Sequence, residues 1–129
     1  MSITDNQIDA VALLLGALGE ASRLRIVRAL WDGPAAVGQI VAETGLKQAN
    51  VSKQLGLLVD AGILARRREG VSIIYAIALP MVRELCSLVC EGARQVAMRR
   101  LEALAPPAPP APAARRRRRA AKSSYLNKR

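Results

Sequence analysis

Histidine and phenylalanine are absent from the 129 residues, cysteine occurs only twice, and Trp31, Tyr75 and Tyr125 are the whole aromatic complement. Without histidine there is no Ser-His-Asp or Cys-His machine, no HExxH zinc site and no His-ligated metal centre. The two obvious nucleophiles, Cys86 and Cys90, have no partner base, so an enzyme is not expected. Long apolar runs are missing as well. The longest, Ala10 to Leu18, has nine residues, against roughly 20 for a bilayer crossing. No membrane partner is therefore expected. A secretory signal is not expected either, since Asp5 and Asp9 precede that run and no basic segment does. The expectation is a cytoplasmic chain whose cysteines stay reduced.

Positive charge is plentiful but concentrated. Twenty Lys and Arg face ten Asp and Glu, yet residues 105–129 hold eight of the basic side chains and no acidic one, which leaves residues 1–104 at about +2. The composition shift marks two regions: a folded domain over 1–104 and a disordered Pro/Ala/Arg-rich basic tail over 105–129. In the tail, Pro106 to Pro112 favours an extended polyproline conformation and Arg115 to Arg119 repel one another. Such a run adds sequence-independent attraction to phosphates, the bland alternative being a solubility tail.

Within the domain, Ile8, Val11, Ala12, Leu15 and Leu18 recur at helical spacing and predict a helix over Asp5 to Leu18. Leu13 and Leu14 make it apolar nearly all round, more than a domain of this size buries alone, so a partner subunit is expected. Leu24, Ile26, Val27 and Leu30 predict a second helix with Arg23, Arg25 and Arg28 on its exposed side, ended by Asp32-Gly33-Pro34. A short third helix is predicted from Ala36 to Thr44 with Gly45 at its C-terminus, and a fourth from Gln48 to Ala61. The segments Ile63–Arg67 and Val71–Ile77 are rich in β-branched residues and predict a hairpin; Pro80 suits the start of a last helix reaching Leu104. The expected fold is mostly α with a β-hairpin wing, in the order α-α-α-α-β-β-α: a winged helix-turn-helix.

In that arrangement the third and fourth helices, joined through Thr44-Gly45-Leu46-Lys47, form the helix-turn-helix, with Val41 and Val51 locking the pair. The N-terminal half of the fourth helix carries Lys47, Gln48, Asn50, Ser52, Lys53 and Gln54. Amide side chains suit base edges, whereas Lys and Ser more often meet phosphates. Arg66, Arg67 and Arg68 in the wing are placed for phosphates or an adjacent minor groove. A polar helix or a basic strand alone is ordinary surface; the position after the turn and within a wing is what points to double-stranded DNA. The other class considered is a winged helix that binds protein or RNA without operator specificity.

Three segments, Leu18-Gly19-Glu20-Ala21-Ser22-Arg23-Leu24-Arg25-Ile26, Gly45 to Leu55, and Ala61 to Gly70 with Ile74-Tyr75, resemble the ArsR/SmtB family of winged-helix repressors, over about residues 8 to 100. The resemblance implies a bacterial, nucleoid-associated homodimer, with the first and last helices at the interface, bound to an inverted-repeat operator and released by an inducer. The departures are informative. Gln54 stands where members often have His, Val37-Gly38-Gln39-Ile40-Val41 lacks the cysteine-rich motif of some members, and Leu79 replaces an Asp of the last-helix zinc site. A zinc, nickel or cobalt sensor of the His type is not expected, and no metal site is assigned.

The candidate sensor is the pair Cys86 and Cys90. At i, i+4 their Cβ atoms lie roughly 5 to 6 Å apart, wider than the roughly 3.5 to 4.5 Å of a direct disulfide. A soft metal or metalloid ion bridging two thiolates, a polysulfide link, a cross-subunit bond or another reversible thiol modification fits better. The alternative is that both are small apolar packing residues beside Leu85 and Val89.

Overall fold

Helix α1 (Asp5–Leu18) begins in a capping box: the Thr4 hydroxyl accepts from the Gln7 amide at 3.3 Å, and the Gln7 side-chain oxygen accepts from the Thr4 amide at 2.9 Å. In this computed structural model, which describes residues 2–113, it is followed by α2 (Ala21–Ala29), strand β1 (Ala35–Ala36), α3 (Val37–Thr44), α4 (Gln48–Asp60), strands β2 (Leu64–Glu69) and β3 (Ser72–Ile77), and α5 (Met81–Leu104). The basic run Arg115 to Arg119 lies outside the described residues. Among them, no helix is long and apolar enough to cross a membrane.

Local chemistry explains the boundaries. Glu20 caps α2, its carboxylate accepting from the Arg23 amide at 3.0 Å, and bonds to the Ser22 and Arg23 amides hold its carboxyl below the ordinary range. Gly45 ends α3 at φ +68°, a left-handed conformation in which its N–H reaches the Val41 carbonyl at 3.0 Å. The Thr44 hydroxyl completes the turn by donating to the Ile40 carbonyl at 2.7 Å and accepting from the Leu46 amide at 3.3 Å. At the wing tip, Gly70 takes φ +60° in a two-residue turn between the paired Glu69 and Ser72.

The sheet has the order β1-β3-β2, antiparallel throughout, with Ala35 opposite Tyr75 and Leu64 opposite Ile77. Its inner side closes one core with α2, α3 and α4: Ile26, Val27, Ile40, Val51, Leu55, Leu58 and Ile63 are fully buried there, with Leu18 and Val82 as the anchors of α1 and α5. Those two anchors are nearly all that α1 and α5 bury. Leu13 is 78% exposed and Leu88 72%, and Ile8, Val11, Val89, Val96 and Leu101 are exposed with them. Two long helices thus present their apolar sides outward.

Four expectations are corrected. Arg23 is not on an exposed side of α2; it is half-buried against α1 and α4. Strand β2 is displaced toward the tip, so that Arg68 and Glu69 belong to it and Ile63 is core ahead of it, while β3 begins one residue late and leaves Val71 a fully exposed turn residue. Strand β1 was not anticipated, because two alanines carry no strand signal of their own and pair only where β3 offers an edge. Helices α3 and α4 are each a residue shorter than expected, with Ala36 and Ala61 as caps.

A Cβ at Gly45 or at Gly56 meets no atom within 4 Å, so the two positions differ in backbone alone. Gly45→Ala is expected to destabilise the fold by about 1–2 kcal/mol, and Gly56→Ala, within right-handed helix, to stabilise it by about 0.5–1 kcal/mol. Urea unfolding midpoints that move in the same direction would contradict the turn geometry.

Candidate nucleic-acid interface

The turn at Gly45 sets α4 across α3 so that Val51, Leu55 and Leu58 face the core and the opposite side of the helix faces out. Lys47, Gln48, Ser52 and Lys53 stand exposed on that outer side, and Asn50 lies half-buried at its margin. No side chain caps the N-terminus of α4, because Lys47 occupies the N-cap position. Unclaimed amides and two lysines therefore share one end of the helix, the arrangement that suits a phosphate beside a base-reading helix.

Gln54 is not on that surface. It is 8% exposed and its amide is committed: the side-chain oxygen accepts from Arg23 Nη1 at 2.9 Å and the side-chain nitrogen donates to Asn50 Oδ1 at 3.1 Å. This corrects its assignment as a DNA contact. The spacing explains why, since Gln54 is three residues after Val51 and four before Leu58 and so falls on the apolar stripe of α4. A buried amide there needs partners, and the helix supplies one while α2 supplies the other.

The wing sorts its three arginines by strand alternation. Arg66 and Arg68 stand opposite Tyr75 and Ile73 and share the face of Leu64 and Ile77, the side turned toward the helices. Toward the tip that face changes from core to cationic, since Arg66 and Arg68 are exposed and, among the described residues, form no ion pair. Arg67 projects from the other face and meets Glu69 at 3.4 Å, an exposed contact that contributes little. The inner-face pair is thus the better placed of the three for DNA.

Cys86 and Cys90 line a separate cavity of about 540 Å³ between the end of α1, α2 and α5. Leu15, Leu18, Leu24, Leu85 and Val89 make it largely apolar, while Arg25, Arg28 and Trp31 bring cations and an indole from α2 and the turn after it. On α5 itself the cations adjacent to the thiols in sequence are Arg83 and Arg94. Arg83 sits 5.7 Å from the centroid of the Trp31 ring, and Arg94 binds the Glu91 carboxylate at 2.7 and 3.0 Å while remaining a charge neighbour of Cys90. That ion pair lowers the Glu91 carboxyl below its usual range. Both cysteines are free thiols; Cys86 is half-buried and burial pushes its thiol up, whereas Cys90 is exposed. Among the described residues, no cluster of three or more Cys, Asp or Glu side chains is arranged to hold a metal ion.

A sequence profile described as bacterial regulatory protein, arsR family, matches residues 21–66, from α2 to the first half of the wing. The HTH-type transcriptional regulator Rv0081 of Mycobacterium tuberculosis is 39% identical over 88 residues, covering 67% of this chain and 77% of the relative. Its crystal structure superposes with a TM-score of 0.67 over 76% of this chain and 99% of that one, at 31% identity. The homodimeric winged helix-turn-helix DNA-binding domain Mb0332 of Mycobacterium bovis is similar with a TM-score of 0.63 and 33% identity over 74% of this chain and 91% of that one. The antimony-specific transcriptional repressor AntR gives 0.64 and 35% over 74% and 89%.

The two thiols differ in exposure, and burial raises the Cys86 thiol, so they should react in order. At pH 7 a maleimide is expected to label Cys90 first, with Cys86 slower and its rate still climbing as the pH rises toward its elevated pKa. Peptide mapping by mass spectrometry over time reads this directly. Equal rates at neutral pH would contradict the described burial.

Proposed function

The chain belongs to the arsR family of bacterial regulatory proteins and is a DNA-binding transcriptional regulator, and on that premise we propose that it is a homodimeric repressor which holds an inverted-repeat operator until chemistry at Cys86 and Cys90 releases it. The observation that carries the DNA reading is one continuous surface of the right chemistry. The outer side of α4 offers Lys47, Gln48, Asn50, Ser52 and Lys53, and the inner face of the wing offers Arg66 and Arg68. Dimerisation is supported by the apolar sides of α1 and α5, too large an exposed surface for a chain acting alone. A two-fold axis through that surface sets two α4 helices about one DNA turn apart. Such a protein works in the cytoplasm, on the nucleoid, and has no catalytic role.

The regulatory half of the proposal rests on the cavity. Two thiols one helical turn apart, with no third ligand among the described residues, suit a soft two-coordinate ion or reversible thiol chemistry better than tetrahedral zinc. Arg25 and Arg28 in the lining suit an anionic adduct there, and the apolar walls favour a ligand with little hydration. The cavity also touches α1 and α5, the two helices of the proposed interface, so occupying it acts on the spacing between DNA-reading helices. A coupling of about 1–3 kcal/mol is enough to lower operator affinity by up to roughly 150-fold.

DNA selected by the protein from randomised duplexes, tested at two salt concentrations, is expected to show a site-specific component above a salt-sensitive background, with two chains per duplex. Gln48→Ala should lower the preference over random DNA, by about 1–3 kcal/mol if its contact is bidentate, while Arg66→Ala with Arg68→Ala should weaken both DNAs and flatten the salt dependence. Binding with no sequence preference would instead favour a general interaction module.

Release is tested by titrating cadmium, arsenite and a persulfide donor against the operator complex. The expected result is that one of them releases the wild type and neither Cys86→Ser nor Cys90→Ser. Equal release of all three proteins, or of none, would return the cysteines to a packing role.

A further inference from the structure

The Arg23–Gln54–Asn50 chain has a direction. A guanidinium can only donate, so the Gln54 amide must turn its oxygen to Arg23 Nη1, which lies at 2.9 Å. Its NH₂ group then points toward Asn50, whose Oδ1 accepts it at 3.1 Å. Arg23 itself has little freedom to move, because Nη2 donates to the Gly16 carbonyl at 3.3 Å and Nε to the Ala17 carbonyl, capping the C-terminal end of α1. Gln54 is buried, so its amide depends on these two protein partners. The polarity set at Arg23 therefore propagates outward to the margin of the DNA-reading surface.

From this we infer that Arg23 and Gln54 are positioning residues that determine base specificity: they orient the Asn50 amide so that its NH₂ group, and not its oxygen, is presented to DNA. The ligand class that follows is a major-groove edge bearing acceptors without an adjacent donor, and guanine, whose N7 and O6 offer two where thymine O4 offers one, matches it best. Cytosine, whose N4 group donates, is the base disfavoured at the same position. The inference rests on the reading of α4 as the base-reading helix and adds to it the choice of base by groups that never touch DNA.

The test reverses the chain. In Gln54→Glu the carboxylate still accepts from Arg23 but has no donor for Asn50, so the Asn50 amide turns its NH₂ inward and its oxygen outward. Selection from randomised duplexes by the full-length protein should then show one position in each half-site change from guanine preference in the wild type to cytosine preference in the variant. The shift expected is roughly three- to tenfold in affinity for guanine relative to cytosine at that position, the scale of one hydrogen bond. Gln54→Met, which breaks the chain without reversing it, should lose the preference at that position without acquiring the opposite one; it also serves if the glutamate variant fails to fold, as read by circular dichroism. Retained guanine preference in folded Gln54→Glu or Gln54→Met overturns the inference, as does a wild type without guanine at any position that Asn50→Ala relaxes. Asn50→Ala that leaves specificity intact at every position would overturn the placement of Asn50 in the base-reading surface itself.

Discussion

A single guanidinium ties together the three segments whose relative placement matters most. Arg23 leaves α2, binds the last carbonyls of α1 with two of its nitrogens and reaches α4 with the third. The carbonyls at a helix C-terminus have no partners within the helix, and a cation there also meets the negative end of the helix dipole. The same group therefore caps the helix proposed for dimerisation and satisfies a buried amide on the helix proposed to read DNA. Three donors committed in a planar fork constrain its neighbours more than the flexible ammonium of a lysine would.

The rest of the chain is arranged around that constraint as two unlike halves. Helices α2, α3 and α4 and the three-stranded sheet bury a continuous core, and on its far side they present polar and cationic groups. Helices α1 and α5 are attached to it through Leu18 and Val82 and leave most of their apolar residues in contact with solvent. A core that is complete and a pair of helices that are not is the division expected of a protomer that finishes folding its surface against a second copy. The cavity lies at the seam between the halves, which is why a ligand there is well placed to alter their relative position.

The thiol site shows how different neighbours change the chemistry of one residue type. Cys86 is drawn into the seam, where burial pushes its thiol up, while Cys90, one turn on, is open to solvent. The cations nearest this cavity come from α2, and those adjacent in sequence on α5 are engaged by an aromatic ring and a carboxylate. A site assembled from two helices in this way ties thiol reactivity to their packing.

Helical periodicity, the turn chemistry of Gly45 and the β-branched run around Tyr75 were enough to determine every helix, the hairpin and the order of the winged helix-turn-helix, because these are local properties carried by neighbouring residues. The exposed lysines and amides of α4 and the arginines of the wing were legible for the same reason. The tertiary structure decided what depends on residues far apart in the chain. Whether Gln54 faces DNA or the core could have been suspected from its place among Val51, Leu55 and Leu58, but only the approach of Arg23, 31 residues away, supplies the partner that makes burying an amide tolerable. Strand β1 exists only because β3 offers it an edge, and Arg25, Arg28 and Trp31 join Cys86 and Cys90 only because α2 and α5 pack around one cavity. Periodicity can tell which side of a helix turns inward; it carries no information about which distant polar group will be waiting there, and that is settled by packing.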